Sequence, residues 1–183
     1  MARLPYLDAE ALAEADRDLL TRPINLHRAL VHSPNAARAF LGLGQFIRHQ
    51  SRLDPRLREL AILQVGWLAR SPYEWSHHVK IGLGFGVSEA DIHALIADSA
   101  GKPCDLDLPA RQVLAAAREI TRDGALGAAG YAALAVHFDA ERLTDLILTI
   151  SFYNAVVRVL ASLEIDVEPE YRPYLERFPL PAR

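Results

Sequence analysis

Three stretches of this chain open with the same pair of residues, a helix-capping side chain followed by proline: Ser33-Pro34, Asp54-Pro55 and Ser71-Pro72. A side-chain oxygen at the cap accepts from an orphan backbone N–H, and the fixed φ of proline suits the first helical turn, so each pair marks a helix start. Asp107 with Pro109 is a looser version, Ser88 with Asp91 resembles a capping box, and Asp139 precedes "AERLTDLILTI". Alternating strand patterns rich in valine, isoleucine and threonine do not recur. The fold class read from these signals is all-α. Helices are expected near 8–20, 24–31, 34–49, 55–69, 72–84, 88–98, 108–122, 127–136 and 140–163.

Between them, "GLGFGVS" at 82–88 and "DSAGKPCDLDLP" at 98–109 are the clearest turns. The tail over 164–183 carries four prolines among aromatic residues, which suits an extended arm laid on another subunit. At 183 residues the whole chain, 1–183, reads as a single domain.

The charge pattern narrows the function classes. Twenty basic and 23 acidic residues are dispersed, with no basic block to follow a phosphate backbone, so nucleic acid is not expected as a partner. The longest apolar run, "LAILQVGWLA" at 60–69, is interrupted by Gln64 and falls short of the roughly 20 residues of a membrane span. The first residues turn acidic at once and lack the apolar core of a signal peptide, so a cytoplasmic location and no membrane association are expected. Cys104 is the only cysteine, so one chain holds neither an internal disulfide nor a two-thiol redox couple.

Chemistry concentrates around two helix starts. From Leu60 to Ala69 the helix at 55–69 carries one polar side chain, Gln64, which marks it as the buried centre of a bundle. Its charged residues, Arg56, Arg58 and Glu59, lie in the first turns. The helix dipole alone accounts for an exposed Glu59, whereas an inward Glu59 needs a partner. In "SPYEWSHH", Ser71 and Glu74 occupy the cap and third positions of a helix, where a reciprocal capping box would engage both. Glu74 also stands four residues before His78, on the same helix face, where a carboxylate fixes an imidazole tautomer and raises its basicity. His77 points about 100° away, so only one histidine shares the Glu74 site. Glu59, Glu74 and His78 are metal-type ligands, but no His-x-x-x-His spacing reinforces them, and no metal is expected.

The segment 54–96, "DPRLRELAILQVGWLARSPYEWSHHVKIGLGFGVSEADIHALI", resembles the core of the carboxymuconolactone decarboxylase and alkylhydroperoxidase D-like superfamily. A weaker likeness continues through the helix at 140–163. The resemblance implies an AhpD-like helical bundle that assembles as a homo-oligomer, a dimer, trimer or hexamer. In the redox branch a Glu precedes two cysteines and a histidine, positions that fall here on Glu59, Ser71, Glu74 and His78. Both thiols are replaced, so thiol peroxidase activity, which needs a thiolate, is expected to be absent. The decarboxylase branch implies instead a cofactor-free lyase or isomerase acting on a small organic acid or lactone. In that reading His78 transfers a proton and Glu59 and Glu74 orient it or share the proton, while Tyr73, Ser71, Arg58, Tyr153 and Asn154 contact the substrate. Arg56 or Arg58 would bind a substrate carboxylate through its guanidinium fork. Asn154 stands where related chains often carry His, keeping a hydrogen-bonding group without a base that titrates near neutrality.

Overall fold

The computed structural model describes residues 2–181 and, among them, contains helices and no strand. Nine α-helices follow in order: α1 (Asn25–Leu30), α2 (Pro34–His49), α3 (Pro55–Leu68), α4 (Pro72–Gly84), α5 (Glu89–Ser99), α6 (Leu108–Asp123), α7 (Ala128–Ala135), α8 (Ala140–Leu163) and α9 (Arg172–Arg177). Each cap and proline pair opens a helix at its expected place. Asp54, Ser88, Asp107 and Asp139 all accept from the backbone N–H three residues on, and Ser88 with Asp91 closes a complete capping box.

The expected helix at 8–20 is absent as an α-helix. Two 3-10 pieces, Ala9–Ala11 and Glu14–Leu20, stand in its place. Asp8 makes no cap bond, and this acidic stretch buries little beyond Leu12, Leu19 and Leu20, too few apolar contacts to hold a longer element.

Helix α3 is the hub of the bundle, and α4, α6 and α8 pack around it. Every residue from Leu57 to Gly66 is buried. Its one mid-helix polar side chain is satisfied at the carbonyl end, where Gln64 Oε1 accepts from Ser99 Oγ at 3.1 Å and Arg118 Nη1 at 3.2 Å. Helix α8 is long and apolar enough by length and composition to span a bilayer, yet it packs on α3 and α6 and carries the buried Asp145 as a core helix does.

Two glycines set the approach of α4 to α3. A Cβ on Gly66 would lie 3.3 Å from the Trp75 backbone nitrogen, and one on Gly82 would lie 3.3 Å from Val87 and 3.5 Å from the Glu59 Cβ. Larger residues there would push the two helices apart.

The tail is not the extended arm expected from its prolines. After Glu164 it folds back over α4 of its own chain, forms a 3-10 turn at Pro169–Tyr171 and then α9. Pro173 lies in the first turn of α9, where its missing N–H costs nothing, so proline here starts a helix as it does elsewhere in the chain. Trp75 Nε1 donates to the Phe178 carbonyl at 2.7 Å, and Lys80 Nζ sits 4.8 Å over the Tyr171 ring.

Candidate active site

The Ser71 cap turns out to be half of the expected box. Ser71 Oγ accepts from the Glu74 N–H at 3.4 Å, but the Ser71 N–H donates to the Gly66 carbonyl at 3.0 Å, so Glu74 does not reach back to it. The Glu74 carboxylate is free to turn inward, where it is buried one helical turn before His78.

Helices α3 and α4 bring three titratable groups together. His78 Nδ1 lies 2.7 Å from Glu59 Oε2, and His78 Nε2 lies 3.0 Å from Glu74 Oε1. The second contact is close in distance but poorly aligned, which leaves Glu74 Oε1 without a hydrogen bond in a buried position. Glu59 Oε1 accepts from Arg58 Nε at 3.0 Å, and Arg58 Nη1 donates to the Arg48 carbonyl at 3.1 Å. The Arg58 guanidinium also lies 4.7 Å from the Phe85 ring. The result is a buried chain of alternating charge, Arg58, Glu59, His78 and Glu74.

That alternation sets the protonation states. Burial pulls the His78 imidazole down, but the charges of Glu59 and Glu74 and the hydrogen bond to Glu59 outweigh it and raise the group to about 8. Burial pushes Glu59 up, and His78 and Arg58 overcome it, so its carboxyl is held below the usual range. Near neutral pH the imidazole is therefore held in its charged form against the ionised Glu59.

His78 and Glu74 border a cavity of about 560 Å³. Tyr153 forms part of its wall, with its ring edge-on to the imidazole at 4.9 Å, and Tyr73 lines it as well. Burial and the neighbouring Glu74 push the Tyr153 hydroxyl up, so it stays protonated. Tyr73 is committed elsewhere: its hydroxyl donates to Glu168 Oε1 at 3.0 Å and accepts from the Leu26 N–H at 3.2 Å.

Three residues expected at the substrate lie off the cavity. Ser71 is a buried cap, and Arg58 is consumed by Glu59 and the Arg48 carbonyl behind the histidine. Asn154 points toward α6, donating to Thr121 Oγ1 at 2.9 Å and to the Ile150 carbonyl at 3.0 Å. Neighbouring positions on one helix diverge by about 100°, so Tyr153 faces the cavity and Asn154 cannot. Cys104 lies in the loop before α6, its Sγ 3.7 Å from Asp98 Oδ1.

Other cavity groups escape local sequence reasoning. Arg22, Arg48, Phe40 and Phe152 line it, brought in from the N-terminal third of the chain and from α8. His77, adjacent to His78, has its own partner: Nε2 lies 2.8 Å from Glu168 Oε2, and the ring is stacked between Tyr73 at 4.0 Å and Tyr171 at 3.5 Å. Burial lowers the His77 pKa against the pull of Glu168. No local sequence signal marks Glu168 of the tail as the carboxylate that anchors His77 and Tyr73.

Among curated proteins, no match to the chain is found. Among solved structures, it is similar to an uncharacterized peroxidase-related protein with an alkylhydroperoxidase AhpD core from Ralstonia eutropha JMP134, at 20% identity and TM-score 0.79 over 95% of each chain. A peroxidase-related protein from Silicibacter sp. TM1040 is 20% identical, with TM-score 0.73 over 92% of each chain. The debrominase Bmp8 in complex with 2,3,4-tribromopyrrole is 18% identical, with TM-score 0.76 over 97% of this chain and all of that one. At these identities the likeness is one of fold. Residues 34–119, which hold Glu59, Glu74 and His78, match the model of the Carboxymuconolactone decarboxylase family. That segment thus resembles the Carboxymuconolactone decarboxylase family, and nearly the whole chain shares the fold of the AhpD-like peroxidase-related proteins.

Proposed function

We propose that the chain is an acid/base enzyme that uses no cofactor, a lyase or isomerase acting on a small carboxylated lactone or organic acid, with decarboxylation the leading reaction. The observation that carries this reading is the buried His78 with one carboxylate at each ring nitrogen, 2.7 Å and 3.0 Å away, at the wall of a cavity sized for a small molecule.

Each group has a role that follows from its surroundings. Glu59, anchored by Arg58, holds the Nδ1–H of His78 and keeps the ring oriented. Nε2 then carries the mobile proton on the Glu74 and cavity side. In a decarboxylation the bond to the carboxylate carbon breaks, CO₂ leaves, and the electron pair stays on the substrate as an enolate. His78 protonates that carbon from Nε2 and is recharged by solvent through Glu74. In an isomerisation Glu74 takes a proton from one carbon and His78 returns one to another. The bound tribromopyrrole of the debrominase shows that a protein of this fold holds a small planar molecule, which fits an aromatic-walled cavity here. A thiol peroxidase route has no basis in this set of groups, because Ser71 and Glu74 stand at the thiol positions and Cys104 has no second thiol.

Turnover of a carboxymuconolactone-type substrate tests the proposal. Removing a positioned acid/base group costs about 10²- to 10⁴-fold, the loss expected for His78→Gln. Equal rates in wild type and His78→Gln would remove His78 from the mechanism.

A further inference from the structure

We propose that Arg48 and Arg22 form an anion-recognition subsite of this cavity, holding the carboxylate of a planar organic acid whose apolar body lies against Phe40, Phe152 and Tyr153. The proposal rests on the acid/base reading for its catalytic meaning, but not for its test.

Charge pairing around the cavity singles out these two arginines. Arg38 is occupied by Asp18 at 2.7 Å and Asp16 at 3.1 Å. Glu74 is balanced by His78, and Glu59 behind it by Arg58. Among the described residues neither Arg22 nor Arg48 has a carboxylate partner. Arg22 Nη2 donates to the Tyr171 hydroxyl at 3.2 Å, and the Arg48 guanidinium lies against the Tyr153 hydroxyl. Two half-buried positive charges thus share one cavity without an internal counter-ion. His27, on the same wall, registers them. Burial lowers its pKa to about 4, and the charges of Arg22 and Arg48 add to that, while its Nδ1 is buried without a partner.

The geometry places an anion at a fixed position relative to the proton site. The Arg48 main chain is tied to the proton site, because its backbone carbonyl accepts from the same Arg58 that anchors Glu59. Tyr153 spans the gap, with its hydroxyl at Arg48 and its ring edge against His78. A guanidinium fork matches a carboxylate with two parallel hydrogen bonds, which fixes orientation as well as charge. The Phe40 and Phe152 rings, 4.8 Å apart, make an apolar wall beside it. A bare inorganic anion would leave that wall and most of the 560 Å³ unused.

Calorimetric titration of the full chain with benzoate, benzamide and inorganic phosphate tests the subsite without turnover. Benzoate is expected to bind, benzamide about ten- to a hundredfold more weakly, and Arg48→Gln to lower benzoate affinity by a similar factor, the value of a charge-assisted hydrogen bond. Arg22→Gln should weaken benzoate in the same direction, and Arg111→Gln, on α6 away from the cavity, should not. His78→Gln should still bind benzoate, so loss of turnover and loss of recognition separate. Should Arg48→Gln fail to fold, the benzamide comparison and Arg22→Gln decide. Equal binding of benzoate and benzamide, unchanged affinity in both arginine variants, no benzoate binding at millimolar concentration, or phosphate displacing benzoate with equal affinity would each overturn the proposal.

Discussion

Replacing Glu59 by Gln keeps the side-chain shape and removes one charge, and the structure says what that charge supports. Glu59 is 1% exposed and its two oxygens serve two buried cations, Arg58 at 3.0 Å and His78 at 2.7 Å. The two respond differently to its loss. His78 can release its proton and stay buried as a neutral ring, but Arg58, 2% exposed, cannot deprotonate and keeps only the Arg48 carbonyl and the face of Phe85. Breaking one partner of a buried pair costs about 3–5 kcal/mol. For a domain of this size each kcal/mol moves Tm by about 2–4 °C, so Glu59→Gln should melt about 6–20 °C below wild type at pH 7. Most of that cost belongs to the stranded guanidinium. The double variant Arg58→Met with Glu59→Gln, which fills the space without charge, should therefore recover more than half of the loss. Thermal unfolding followed by circular dichroism measures both. A Glu59→Gln protein within about 2 °C of wild type, or a double variant as unstable as the single one, would refute the account of Glu59 as the anchor of this charge chain.

The titration of His78 gives a second test. Its folded pKa, about 8, exceeds its ordinary 6.5, so the stability that the charged ring contributes is fully present below 6.5 and is lost as pH rises through 8. Imidazole resonances followed by NMR should show this value in wild type and a lower one in Glu74→Gln, and a stability profile flat from pH 6.5 to 8 would contradict it. Ser71→Ala should cost about 1 kcal/mol through the lost cap, a fall of about 2–4 °C in Tm, with turnover unchanged, since Ser71 lies off the cavity. A tenfold fall in turnover in a folded Ser71→Ala protein would restore it to the substrate site.

The helices were legible because their starts are local chemistry. A first-turn proline acts within one turn, with a capping side chain at Asp54 and Ser71 though not at Ser33, so Pro34, Pro55 and Pro72 begin helices wherever the chain later places them. The pairing of Glu74 with His78 was legible for the same reason, as a four-residue spacing on one helix. The pairing of Glu59 with His78 was not, since it depends on how closely α4 approaches α3 at Gly66 and Gly82, and only the family resemblance pointed to it. Arg58 was misplaced because the resemblance offered its guanidinium to a substrate carboxylate, whereas here it is taken up by Glu59 and covered by Phe85 and the end of α2. Arg48 and Arg22 carried no signal at all, because the lack of a carboxylate partner among the described residues is a property of the assembled cavity. The tail was misread because proline was taken as a breaker where it served as a first-turn residue.

The two tryptophans of the chain, Trp67 and Trp75, stand 5.2 Å apart at the junction of α3 and α4. All indole emission therefore originates within one small region, beside the helix that carries Glu74 and His78. Trp75 is fully buried, and its N–H ends on the Phe178 carbonyl of the tail. Undocking of that tail would hydrate one indole and shift the emission to longer wavelength while the α3 core remained folded. The protein thus carries a native optical reporter of whether its C-terminal segment is seated on α4.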